Sequence, residues 1–142
     1  MIKIAHRGNL NGSSPLENSP GFLLEAISKN FDVEVDIRLT DTGWFLGHDG
    51  PVYKVGDLFI DQIKDSAWFH CKNLEALEKL DNKVYKYFWH QNDDFTLTSN
   101  GFIWTYPNKK ITTKSIIVDL NLDGDYHYTI PYGICTDYAN LL

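Results

Sequence analysis

Apolar and polar positions along this chain change places in short bursts, and the period of each burst predicts an element. "IKIAH" at 2–6 reads as a first strand, closed at once by Arg7 and Gly8. "ENSPGFLLEAISKN" follows with a helical period. Ser19 is a good N-cap, Pro20 suits the first helical position, Phe22, Leu23, Ala26 and Ile27 share a face, and Asn30 can end it. "FDVEVDIRLT" then alternates strictly, with Val33, Val35 and Ile37 on one side and Glu34, Asp36 and Arg38 on the other.

"DTG" marks a turn, and "WFLGHDGPVYKV" reads as an irregular hairpin. "LFIDQIKD" fits one short helix and "AWFHCK" another strand. "NLEALEKLDN" fits a helix capped by Asn73, with Leu74, Leu77 and Leu80 inward. Four more strands are expected in "VYKYFWHQ", "GFIWTYP", "SIIVDL" and "YGICTDY". The stretches between them are rich in Asn, Asp, Thr and Gly and read as loops.

Strand–helix alternation in the first half points to parallel β/α units. Seven or eight strands are enough for closure, but 142 residues fall well short of the ~250 of a full (β/α)8 barrel. The expected fold is α/β: a reduced TIM-like (β/α) barrel with several outer helices missing, in a single domain over residues 1–142. The alternative is an open, mixed α/β sheet.

Charge narrows the partners. The formal net charge is −6, and Arg7 and Arg38 are the only arginines. Phosphate backbones reward clustered cations, so a nucleic-acid partner is not expected. No apolar run is long enough to span a bilayer, and the N-terminus lacks the basic-then-apolar pattern of a secretory leader. Cys71 and Cys135 are far apart with no metal-ligand spacing. They read as cytoplasmic thiols, and the cytoplasm is the expected location.

The candidate chemistry gathers where strands end. His6 and Arg7 close the first strand, Glu34 and Asp36 point to one face of the second, and His48 and Asp49 end the excursion after it. His70 and Lys72 are a same-face pair, followed by His90, then Trp104 and Tyr106, then Asp137. A lone strand-end histidine is ordinary, and one such lysine is usually a surface charge. In a parallel barrel, however, all these ends share one rim. Paired carboxylates facing inward are costly unless they hold a cation, which points to Mg or Ca. Two histidines can divide general acid and base roles, and Arg and Lys can hold non-bridging phosphate oxygens.

"AHRG" at 5–8, "PLENS" at 15–19, "EVDIRLT" at 34–40 and "GHDG" at 47–50, in this order, resemble the glycerophosphodiester phosphodiesterases, within the phospholipase C-like phosphodiesterases. "FHCK" at 69–72 is a further echo, and the specific part covers about the first third of the chain. The resemblance implies a metal-dependent hydrolase of a small glycerophosphodiester-like substrate. His6 and His48 would be the acid/base pair, and Arg7 and Lys72 would bind the phosphate. Glu34 and Asp36 would ligate the metal, and Glu17 would orient Arg7 or its loop. Where the family commonly supplies a third ligating glutamate, this chain has His70. That exchange and the short chain leave an alternative: a relative that binds a phosphorylated ligand without turnover. A sphingomyelinase D-like lyase shares the histidines and carboxylates, but that class is usually secreted and disulfide-bonded.

Overall fold

A computed structural model of the chain describes residues 1–126 and 128–142. Its strands are β1 (Ile2–His6), β2 (Asp32–Thr40), β3 (Gly43–Leu46), β4 (Tyr53–Val55), β5 (Ala67–Cys71), β6 (Lys86–Phe88), β7 (Phe95–Leu97), β8 (Ile103–Thr105), β9 (Ser115–Val118) and β10 (Gly133–Thr136). The α-helices are α1 (Pro20–Ser28), α2 (Asp57–Ile63) and α3 (Leu74–Lys79). A 3-10 turn, Ala139–Leu141, follows β10.

All ten strands belong to one sheet. Seven run parallel in the spatial order β6-β5-β2-β1-β10-β9-β8. β3 and β4 fold back antiparallel from the end of β2, and β7 is an antiparallel strand on β8.

The reduced TIM-like barrel is not what forms. Strands take 30% of the residues and helices only 18%, too few helices to jacket a barrel. All three α-helices lie before residue 80, and no strand ladder joins β6 to β8 among the described residues. The molecule is a curled mixed sheet, a half-barrel, closer to the open mixed-sheet alternative. The reason lies in the second half of the sequence. Its connections lack apolar helical stripes, so the β8–β9 and β9–β10 crossovers are loops tied down by side chains. Asp119 holds the second of these, accepting the backbone N–H of Asp123 at 3.2 Å and of Gly124 at 3.1 Å, and the Tyr126 hydroxyl.

Two apolar layers follow from the period of two. On the helix-covered side, Val33, Val35 and Ile37 of β2 are fully buried with Ala5, Phe69, Leu23, Ala26 and Ile60. On the concave side, Ile4, Trp68, Phe88, Trp104, Ile116 and Cys135 form a second cluster. Five of these six continue, two residues on, to a polar residue at the strand end facing the same side, while Ile116 continues to Val118. His6 lies beyond Ile4, His70 beyond Trp68, His90 beyond Phe88, Tyr106 beyond Trp104, and Asp137 beyond Cys135. The concave cluster is therefore the floor on which the polar residues stand.

The helix readings need small corrections. In α3, Leu80 and Ala76 are buried, whereas Leu74 at the first position is 68% exposed. Asn73 does cap this helix, accepting Ala76 N–H at 3.2 Å. Ser19 precedes α1 in extended conformation but makes no side-chain cap. "DFTLTS", read as loop, contains β7.

Candidate functional site

Six of the eight predicted site residues line one cavity of about 290 Å³: His6, Arg7, Glu34, His48, His70 and Lys72. His90, Gln91, Trp104 and Tyr106 also line it. The other two predicted residues, Glu17 and Asp36, contact this lining directly.

The corner after β1 turns sharply, with φ of 54° at Arg7 and 87° at Gly8. A Cβ at residue 8 would lie 3.1 Å from the Phe22 ring and 3.3 Å from the Leu23 nitrogen. Gly8 thus lets the corner dock on α1. The turn aims Arg7 across the sheet: its Nε lies 3.0 Å from Asp36 Oδ2 and its Nη1 3.0 Å from Glu17 Oε2. Glu17 and Asp36 thus pair with the Arg7 guanidinium from two sides.

A closed polar network ties this corner to the last strand. Asn9 Nδ2 lies 2.8 Å from both Glu17 Oε1 and Asp137 Oδ1. Asp137 Oδ1 in turn accepts from His6 Nδ1 at 2.7 Å. A carboxylate only accepts, so His6 carries its proton on Nδ1 and turns Nε2 toward Glu34, 3.9 Å away. Burial pulls the His6 pKa down, but the Asp137 hydrogen bond and the Glu34 charge outweigh it, and the net shift is upward.

Glu34 and Asp36 are 2% and 0% exposed on the concave face of β2. Glu34 Oε2 and Asp36 Oδ1 are buried without a hydrogen-bond donor. His70, beside them on β5, sets Nδ1 3.3 Å from Glu34 Oε1 and 3.3 Å from Asp36 Oδ1. Lys72 Nζ is 3.9 Å from Asp36 Oδ1. One donor atom each from Glu34, Asp36 and His70 lie within 4.8 Å of one another. Buried carboxylate oxygens with no donor, next to an imidazole nitrogen, fit a divalent cation. Without one, the imidazolium supplies the charge: burial works against it, but the two carboxylates raise His70 to about 9. Burial likewise pushes Asp36 up, yet the His70 contact, the Arg7 charge and the Asn18 amide hold it well below the usual carboxylate range.

His48 comes from the loop after β3 and is 41% exposed, its Nδ1 donating to Asp49 at 2.6 Å. Two features place it. Gly47 has φ of 146°, and a Cβ there would collide with the carbonyl oxygen of Gly50. Arg38, on the polar row of β2, donates to the His48 carbonyl and reaches the Lys72 carbonyl at 3.5 Å. Arg38 thus binds the two loops that carry His48 and Lys72.

Sequence reasoning gave no role to Asp137, Asn9, Asn18, Arg38 or His90. Asp137 and His90 were visible as strand-end polar residues. Asn9 and Asn18 carried no periodic signal. Both His90 ring nitrogens are buried and unpartnered, and burial together with the His70 charge lowers its pKa. Cys71 and Cys135 are buried free thiols, and burial pushes Cys71 up to about 12. Among the described residues, no helix is long and apolar enough to cross a membrane. No protein-family model, curated protein or solved structure matches this chain.

Proposed function

We propose that this chain is a metal-dependent phosphodiester hydrolase acting on a small, glycerophosphodiester-like substrate, similar in its catalytic residues to the glycerophosphodiester phosphodiesterases. One observation carries the reading. His6, Arg7, Glu34, His48, His70 and Lys72, drawn from separate segments, face a single cavity of small-molecule size.

In this reading Arg7 and Lys72 hold the non-bridging phosphate oxygens, where charge grows in the transition state. A substrate hydroxyl next to the phosphodiester attacks phosphorus, and the bond to the leaving alkoxide breaks, giving a cyclic phosphate that water then opens. Of His6 and His48, one takes the hydroxyl proton and the other protonates the leaving oxygen. Asp137 keeps the His6 proton on Nδ1, so Nε2 is the nitrogen that exchanges protons with the substrate. Glu34, Asp36 and His70 would hold a divalent cation. When bound, such an ion neutralises phosphate charge and favours ionisation of the attacking hydroxyl.

The test is turnover of glycerophosphocholine and of a glycerol aryl phosphodiester, both with a hydroxyl next to the phosphate, with Mg2+, Ca2+ and Mn2+. His6→Ala and His48→Ala should each lose at least ~100-fold in kcat. Undiminished activity in either variant removes that histidine from the assignment. A second reading, a phosphorylated-ligand binder without turnover, is favoured by the exposure of His48, whose ring among the described residues pairs with the 97%-exposed Asp49. Saturable phosphate-ester binding with no turnover across the panel would select it.

A further inference from the structure

The donor set at the centre of the site is not all oxygen, and its nitrogen is held in a particular way. His70 Nε2 lies 2.9 Å from the backbone carbonyl of His90. A carbonyl cannot donate, so Nε2 carries a hydrogen and the Nδ1 edge is the one turned to Glu34 and Asp36. Metal-ligating histidines are commonly arranged this way, with the distal N–H given to a carbonyl that fixes the tautomer and raises ligand basicity. The ring plane is fixed as well. His70 stacks on Phe88 at 4.8 Å and 19°, and Phe88 stacks on Trp104 at 4.2 Å and 22°.

The two oxygen donors are equally constrained. Asp36 Oδ2 is taken up by Asn18 Nδ2 at 2.9 Å and by Arg7 Nε at 3.0 Å, which leaves Oδ1 toward His70. Glu34 offers Oε1 toward His70 and a second buried oxygen without a donor. The result is one nitrogen and two carboxylate groups, all pre-oriented. Hard Mg2+ and Ca2+ prefer all-oxygen surroundings, whereas imidazole suits the first-row transition metals.

We propose that this site selects a first-row transition-metal dication, from the Mn2+ to Zn2+ series, over Mg2+ and Ca2+, with His70 Nδ1 as its nitrogen ligand. The proposal rests on the metal-dependent reading above and names its metal class. It differs from the Mg or Ca that paired carboxylates alone suggest. His70 is then a ligand selected for softness, and Phe88, Trp104 and the His90 carbonyl are the elements that orient it.

Any site binds Zn2+ more tightly than Mg2+, so the ratio must be read against a variant. Calorimetric titration of the protein with Mn2+, Co2+, Zn2+, Mg2+ and Ca2+ should be compared with His70→Glu. The expected result is a fall of at least ~10-fold in the Zn2+:Mg2+ affinity ratio of the variant. Pulsed EPR of the Mn2+-loaded protein should show one imidazole 14N coupling that His70→Glu abolishes, a readout independent of turnover. Circular dichroism and melting of both proteins establish that the variant folds. If it does not, His70→Gln replaces it in both measurements, with the same loss of nitrogen coupling expected.

An unchanged ratio, or bound Mn2+ without nitrogen coupling in the parent protein, overturns the selectivity while leaving metal dependence standing. Failure of all five ions to bind overturns both.

Discussion

Asn18 grips Asp36 at two points: its Nδ2 donates to Asp36 Oδ2 at 2.9 Å, and its Oδ1 accepts the Asp36 backbone N–H at 2.9 Å. Asn18 is 1% exposed and sits at φ of 63°, a conformation Asn tolerates better than most residues. One asparagine thereby fixes both the backbone and the carboxylate of a central acidic residue. Asn18→Ala should cost about 1–3 kcal/mol in urea unfolding, because a buried donor–acceptor pair is broken. It should also weaken divalent-metal affinity by roughly 10–100-fold, since Asp36 loses its orienting partner. Stability loss with unchanged metal affinity would show that the grip serves the fold alone.

The bond from His6 to Asp137 decides which imidazole nitrogen faces the cavity. Asp137→Asn keeps the shape but offers an amide that no longer demands a proton on Nδ1. In the proposed hydrolase, kcat should fall about 10²–10⁴-fold with little change in KM. Steady-state kinetics on a glycerol aryl phosphodiester checks this, and a matching loss confined to KM would contradict it.

Gly47→Ala separates loop geometry from stability. The added methyl has no room against the Gly50 carbonyl, so residues 48–50 must move. Activity should fall at least ~10-fold, because the His48 ring leaves its place at the cavity wall. The melting temperature should drop only modestly, the loop being at the surface. Retained activity would mean that His48 has no fixed position to lose.

Glu17 sets a pH dependence with a definite sign. Burial raises its pKa, but hydrogen bonds from Asn9, Ser13 and Arg7 outweigh that and lower it from 4.5 to about 2. A depressed folded-state pKa gives stability that is fully present above about pH 4.5. It is lost as pH falls through about 2. Urea melts of the protein and of Glu17→Gln should differ clearly at pH 5.5 and converge near pH 2. A gap that persists at the acid end would assign the effect to packing.

The sequence made the central acidic strand legible because it is two-sided. Val33, Val35 and Ile37 face helices while Glu34 and Asp36 face the concave side, so period two marked both faces. The strand-end histidines were legible for the same reason, each two residues beyond an apolar floor residue. That the sheet stays open was not, because closure depends on whether β6 meets β8, and three-residue strands carry too little pattern to say. β7 escaped notice since "FTL" is short and its two apolar residues, Phe95 and Leu97, are exposed. The polar network through Asn9 and Asn18 was illegible in principle. An asparagine's partners are set by the turn that carries it, and nothing periodic announces them.

The bond between His6 and Asp137 spans 131 positions. β1 leaves the ribosome before β10, so the dyad cannot exist until residue 137 has been made and docked. Its loop-closure entropy is met only by docking β10 between β1 and β9. Any intermediate that pairs β1 with β2 but not yet with β10 holds His6 without its partner. In the proposed hydrolase, activity should therefore lag behind the first helix and sheet signals during refolding. In this fold, chemical competence would be the last property acquired.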